Sequence, residues 1–240
     1  MNWKYVKFNK FKNIGNIIFN NHKKNNALNI EMRYEFLEIL NACNLDNDIK
    51  IVVIKSEDKN FCVGADLSEF NTYPSIIESN LISKENTLWK DLYNFNKPII
   101  SITQGWVVGS GFEIALLSDF VFSHESTIFR MPEVELSITP ISGGTQTLLK
   151  KTSISVAKEI LLFAQPIDVY KAYDYGIVNF YSHEYDLLLK KVDEFSQNIE
   201  NIELNRIKSV KNLLRASSDE NIFLAEQLEK IYSEVNWVNN

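Results

Sequence analysis

Short runs of β-branched and aromatic residues constrain this chain more than any other feature. Ile51-Val52-Val53-Ile54, Ile99-Ile100-Ser101-Ile102 and Phe120-Val121-Phe122 are almost continuously apolar, and Thr127 to Phe129 is a further candidate. Runs this short are too brief for helices, and without polar alternation they suit strands covered on both faces of a parallel sheet. Segments with helical spacing lie between them. Ile30 to Leu45 places apolar residues at Met32, Phe36, Ile39, Leu40 and Cys43. Leu81 to Phe95 reads as a second helix, stopped by Lys97-Pro98, and Phe112 to Ser118 as a third, entered through Gly109-Ser110-Gly111. Tyr5 to Phe8 and Ile14 to Phe19 read as a hairpin turned near Lys10 to Asn13. Alternation of strands and helices predicts an α/β fold.

The pattern changes after Tyr181. Glu184 to Asn198, Leu204 to Leu214 and Asn221 to Val235 read as helices with no strand between them. This predicts a core over residues 1–181 and a helical appendage over 182–240, packed on a partner subunit or back on its own core.

Charge and composition narrow the function. A net charge of −6 over 240 residues argues against a nucleic-acid surface, which needs a concentrated basic face. The amino terminus, Met1-Asn2-Trp3-Lys4, lacks the apolar stretch of a secretory signal, and no run approaches the length of a membrane span. A cytosolic, reducing setting is expected, with Cys43 and Cys62 as free thiols. His22, His124 and His183 lie far apart, so no metal site is expected.

Two acids carry the chemical interest. Glu113 follows a glycine-flanked turn and opens the apolar run Ile114-Ala115-Leu116-Leu117, and Glu133 follows Met131-Pro132. A carboxylate in apolar surroundings has a raised pKa and exchanges protons near neutrality, so two of them suit acid and base work on one substrate. Equally, each suits a solvated helix start. Phe61-Cys62-Val63-Gly64-Ala65-Asp66 and Gly105-Trp106-Val107-Val108-Gly109-Ser110-Gly111 both follow apolar strands. Either two backbone amides there converge as an oxyanion hole, or the glycines only permit tight turns.

These motifs, with Asn26-Ala27-Leu28-Asn29, Lys97-Pro98-Ile99-Ile100, Pro132-Glu133, Gly143-Gly144-Thr145-Gln146 and Gly176-Ile177-Val178-Asn179, resemble in order the motifs of the enoyl-CoA hydratase/isomerase, or crotonase, superfamily. The resemblance runs from about residue 5 to residue 180. It implies a spiral of ββα units with a C-terminal helical region for oligomerisation, as a trimer or a dimer of trimers. It implies a thioester substrate on coenzyme A or an acyl carrier protein, with no metal or redox cofactor. Its oxyanion amides fall on Ala65 and Ser110, and its hydratase acids on Glu113 and Glu133. Glu113 would mainly activate water, and Glu133 would mainly protonate Cα. Substrate contacts fall on Ala27, Val63, Gly64, Asp66, Leu67 and Gly109; Lys23 and Lys24 are candidates for phosphate contact or, more simply, a solvated polar loop.

Three departures from the family pattern bear on these expectations. Ser110 stands where glycine is usual, which is harmless if the backbone angle suits serine. The stretch from Gly64 to Phe95 is particular to this chain; Tyr73, Ile76, Ile77, Leu81 and Trp89 are candidates for lining an acyl pocket or for a plain core stripe. A basic-aromatic segment that helps hold the nucleotide is not evident before Asn240, which leaves room for a carrier-protein substrate.

Rival motifs fail. A hydrolase elbow needs glycine where Val108 stands, a dinucleotide fingerprint needs a small residue where Ile114 stands, and no Gly-Lys pair opens a phosphate loop. Isomerase or decarboxylase chemistry on the same fold, and a catalytically silent scaffold, remain the alternatives.

Overall fold

The computed structural model describes residues 3–69, 87–140, 142–219 and 227–228. Strands β1 (Val6–Phe11) and β2 (Ile14–Phe19) form the expected hairpin, antiparallel from Val6 opposite Phe19 to Phe11 opposite Ile14. From β2 onward the large sheet is parallel. It takes in β3 (Ile51–Ser56), β4 (Ile99–Thr103), β6 (Phe120–His124) and β9 (Phe180–Ser182), in the order β1-β2-β3-β4-β6-β9. A small sheet of β5 (Trp106–Val108), β7 (Ile128–Arg130) and β8 (Ile167–Asp168) stands beside it.

The chain visits the two layers in turn. After β4 it adds β5 to the small sheet and then forms α3 (Ser110–Leu117); after β6 it adds β7 and then the helices α4 (Gly144–Lys151) and α5 (Ile154–Phe163). Earlier turns repeat the path with single bridges. β2 leads through a Leu28–Ala65 bridge to α1 (Ile30–Leu45), and β3 leads through a Cys62–Val107 bridge toward α2 (Leu88–Tyr93). This is the expected spiral of ββα units.

Alternation along the strands explains the layering. Val52, Ile54, Ile99 and Val121 belong to the cluster shared with Met32, Phe36 and Phe112 on α1 and α3. Their neighbours Ile51, Val53, Ile100 and Phe122 face the other way, onto Leu188 and Val192 of α7 (Tyr185–Ile199). Both faces are buried, so the strands read as unbroken apolar runs. Each such residue, fully buried, contributes about 1.5–3 kcal/mol. The expected 181/182 boundary falls inside β9, and α7 rests on the sheet of its own chain. The remaining helices are α6 (Val169–Asp174) and α8 (Leu204–Asp219).

Local chemistry sets the ends. Asn29 caps α1, its side chain accepting from the Met32 amide at 2.7 Å. Asn26, fully buried, donates to Ser56 Oγ at 2.8 Å and to the Asn60 carbonyl at 3.0 Å, which ties the loop before α1 to the end of β3. Of the expected second helix only Leu88–Tyr93 is described; Tyr73, Ile76, Ile77 and Leu81 lie outside the described residues, as does nearly all of the expected helix over 221–235. Among the described residues no helix is long and apolar enough to cross a membrane.

Candidate active site

Two loops meet at glycine. Residues 62–66 run between Leu28 on one side and β5 on the other. The Leu28 amide donates to the Gly64 carbonyl at 2.8 Å, and the Asp66 amide donates to the Leu28 carbonyl at 3.1 Å. A trans peptide unit aims its N–H opposite its C=O, so the Ala65 amide, which shares a peptide with the Gly64 carbonyl that faces Leu28, points away from Leu28. On the neighbouring segment, the Val108 amide donates to the Cys62 carbonyl and the Gly109 amide to the Arg130 carbonyl, both at 2.9 Å. The chain then turns sharply into α3.

That turn needs glycine. Gly109 has φ 50° and ψ −120°, and Gly64 has φ 96°, conformations that a Cβ strains. The two are in contact: a Cβ on Gly64 would lie 3.8 Å from the Ser110 nitrogen, and one on Gly109 would lie 3.9 Å from the Gly64 Cα. Ser110 itself is the first residue of α3 and has no positive φ, so serine fits where glycine is usual. Among the described residues neither the Ala65 nor the Ser110 amide donates to another group. Two unspent N–H donors therefore stand beside one contact, the second at a helix start where the helix dipole adds positive potential.

Both acids are at this spot. Glu113, in the first turn of α3, is almost fully buried, and its Oε1 accepts from the amides of Ser142 at 3.1 Å and Gly144 at 2.9 Å. Burial raises its pKa; these amides act in the opposite direction, and the neighbouring Glu133 raises it further. Glu133 opens a 3-10 turn (Glu133–Leu136) after Pro132, and its Oε1 is 2.8 Å from where a Cβ on Gly109 would sit. Its Oε2 is buried and has no hydrogen-bond partner among the described residues. Burial raises this pKa too. An orphaned carboxylate oxygen favours the protonated form, whereas one held by two amides keeps more of its charge.

The other expected contacts distribute differently. Ala27 is buried and Val63 half-buried along the same loops. Lys24 Nζ is bound to Asp66 Oδ2 at 2.6 Å and to Ser68 Oγ at 2.9 Å, so these two expected residues meet each other. Burial pushes Asp66 up, but Lys24 and Ser68 together hold it below its ordinary value. Lys23 and Leu67 are exposed. The Ser142 and Gly144 amides are site groups with no role assigned from sequence; Gly143-Gly144 before a helix was the visible signal.

Comparison with known proteins decides the family. Residues 9–233 match the model of the enoyl-CoA hydratase/isomerase family. The chain belongs to that family. Among curated relatives it is 34% identical over 154 residues to a 2,3-dehydroadipyl-CoA hydratase of Escherichia coli, covering 64% of this chain and 60% of that protein. The chain thus spans about 60% of the length of the first curated relatives it matches. Among solved structures it superposes on an enoyl-CoA hydratase subunit of Geobacillus kaustophilus with a TM-score of 0.91 and 23% identity, covering 98% of this chain and 91% of that one. A second match, at TM-score 0.89 and 20% identity, covering 98% of this chain and 93% of the other, is an enoyl-CoA hydratase-like protein of Thermobifida fusca in complex with CoA. These structural matches establish the crotonase fold.

Proposed function

We propose that this family member adds water across the 2,3 double bond of an enoyl thioester carried on coenzyme A. One observation carries the reading: two unspent amides, of Ala65 and Ser110, stand at the Gly64–Gly109 contact between two buried acids. In the proposed reaction those amides donate to the thioester carbonyl oxygen, which becomes enolate-like as Cβ is attacked. Donors fixed in advance for that charge supply several kcal/mol of barrier lowering. Glu113, its charge supported by two amides, takes a proton from water as the water oxygen bonds to Cβ. Glu133, whose free Oε2 favours the protonated form, gives its proton to Cα. A proton passed from Glu113 back to Glu133 restores both groups, so the net change is one water added. The reverse reaction eliminates water by the same groups.

The proposal requires no metal or redox group, because the developing charge is met by backbone donors. Lys23 and the Lys24–Asp66 pair are proposed to border the phosphate end of the substrate, and Ala27, Val63 and Leu67 its pantetheine arm. A cytosolic protein with free Cys43 and Cys62 belongs to the same proposal; burial pushes both thiols up to about 12, which makes them poor nucleophiles. A trimer or a dimer of trimers is proposed as well, with the region from 182 contributing. Exposed Phe163, Leu162 and Val134 supply apolar surface for such contacts.

The deciding experiment follows loss of conjugated-enoyl absorbance with crotonyl-CoA, with the same acyl group on pantetheine, and with a 3-enoyl-CoA. Hydration of the first is expected. Conversion of the 3-enoyl substrate without hydration of the 2-enoyl one would overturn the proposal in favour of an isomerase.

A further inference from the structure

The 3-10 turn that carries Glu133 has few attachments of its own. Buried Met131 anchors the chain just before it, but within the turn Glu133 is the only buried residue, and Val134 and Leu136 are exposed. The carboxylate adds little, because its Oε2 has no hydrogen-bond partner among the described residues. Something else has to keep this acid aimed at the Gly64–Gly109 contact.

Arg130 ends β7, opposite Val108 of β5, and its two halves do different work. Its carbonyl accepts the Gly109 amide at 2.9 Å, which fixes the glycine beside Glu133. Its guanidinium reaches the turn and the next helix together. Nη2 donates to both oxygens of Glu135, at 2.8 and 2.6 Å, and Nε donates to the Ala164 carbonyl at 2.8 Å. Ala164 is fully buried and closes α5 in the left-handed conformation, with φ 53°. Carbonyls at a helix end lack partners within the helix, and a cation suits that end of the dipole. One rigid, planar group thus fastens the acid-bearing turn to the buried end of α5.

We propose that Arg130 is a positioning residue for Glu133, fixing through Glu135 and Ala164 the turn that holds the acid over the substrate's Cα. The inference rests on the hydratase reading and adds a residue to it. An exposed ion pair in isolation adds little to stability, so the clamp matters chiefly for geometry. Substituting the side chain leaves the backbone link from Arg130 to Gly109 in place, which separates the clamp from the glycine turn.

The test measures kcat and KM with crotonyl-CoA for Arg130→Met, Arg130→Lys and Glu135→Ala, each alone and combined with Glu133→Gln. Arg130→Met is expected to lower kcat by about tenfold or more with KM nearly unchanged, because a small displacement of a reacting group is expensive. Glu135→Ala should lower kcat less, since the link to Ala164 remains, and it also guards against Arg130→Met failing to fold. Arg130→Lys should recover part of the loss, because an ammonium lacks the fork that reaches both acceptors. In the Glu133→Gln background Arg130→Met should cost almost nothing further, since a residue that acts through another shows full coupling to it. Unchanged kcat in Arg130→Met overturns the inference. A loss of equal size in the Glu133→Gln background overturns it in favour of a general structural role, and a loss confined to KM overturns it in favour of a substrate contact. All three leave the hydratase reading standing. Absence of hydration by the wild type overturns that reading, and the positioning role falls with it.

Discussion

A side chain on Gly109 would begin 2.8 Å from Oε1 of Glu133. The glycine that turns the chain into α3 is thus also the floor beneath one of the acids. Backbone conformation, amide direction and carboxylate position are coupled at one residue.

Gly109→Ala is the direct consequence. With φ at 50° and ψ at −120° the new Cβ is strained, a cost of about 1–3 kcal/mol, and it also displaces Glu133. Thermal unfolding should shift down, and kcat/KM should fall by about 10² because small misplacements at a reacting centre are expensive. A stable, fully active variant would remove Gly109 from the argument.

Ser110→Pro isolates the amide. Proline is tolerated at the first position of a helix, and the Ser110 N–H has no partner within the described residues, so removing it takes little from the fold. Removing one oxyanion donor should lower kcat by about 10²–10³ with a near-normal unfolding temperature. Ser110→Gly keeps the amide and should retain activity. If the proline variant turns over normally, the proposed oxyanion site is wrong.

Glu113→Gln and Glu133→Gln should each reduce turnover by about 10² or more. Unaltered turnover in both variants would favour a scaffold or a different site. Stability should move the other way. A carboxyl whose folded pKa is raised above the ordinary 4.5 contributes stability that is full below that value and is lost as pH rises through the folded value. The unfolding temperature of Glu133→Gln relative to the wild type should therefore climb as pH is raised from about 4.5 toward neutrality. A difference independent of pH would contradict the buried, raised state of Glu133.

The pH profile of kcat/KM should be bell-shaped. Activity falls on the acid side as the base takes up a proton and on the alkaline side as the acid loses one. Burial raises both carboxyls, so both apparent values should lie above 4.5, and as interacting groups they belong to the pair. An acid limb below 4.5 would show that the group acting as base is not one of these raised carboxyls.

Much of the fold was legible in the residues. Ile30–Leu45 has its full helix written in apolar spacing and in the capping Asn29, and the doubly buried strands announce themselves by lacking polar alternation. β5, β8 and β9 were not, because two or three residues carry no period; they are strands only because a neighbour offers hydrogen bonds. Helix α3 begins at Ser110 rather than Phe112, so the expected glycine loop is in part a helix start. The hairpin turn is tighter than expected, with Lys12 at φ 53°.

The sequence by itself determined which acids and which glycines were available, since an acid bordering an apolar run and a glycine that opens a helix are both local facts. Only the tertiary structure decided that they share one place and differ in character. Glu113 is held by amides 29 and 31 residues farther along the chain, and Glu133 leaves one oxygen unmatched. A carboxyl's proton affinity is set by what surrounds it in space, and those surroundings are brought in by the turns of the spiral, not by sequence neighbours.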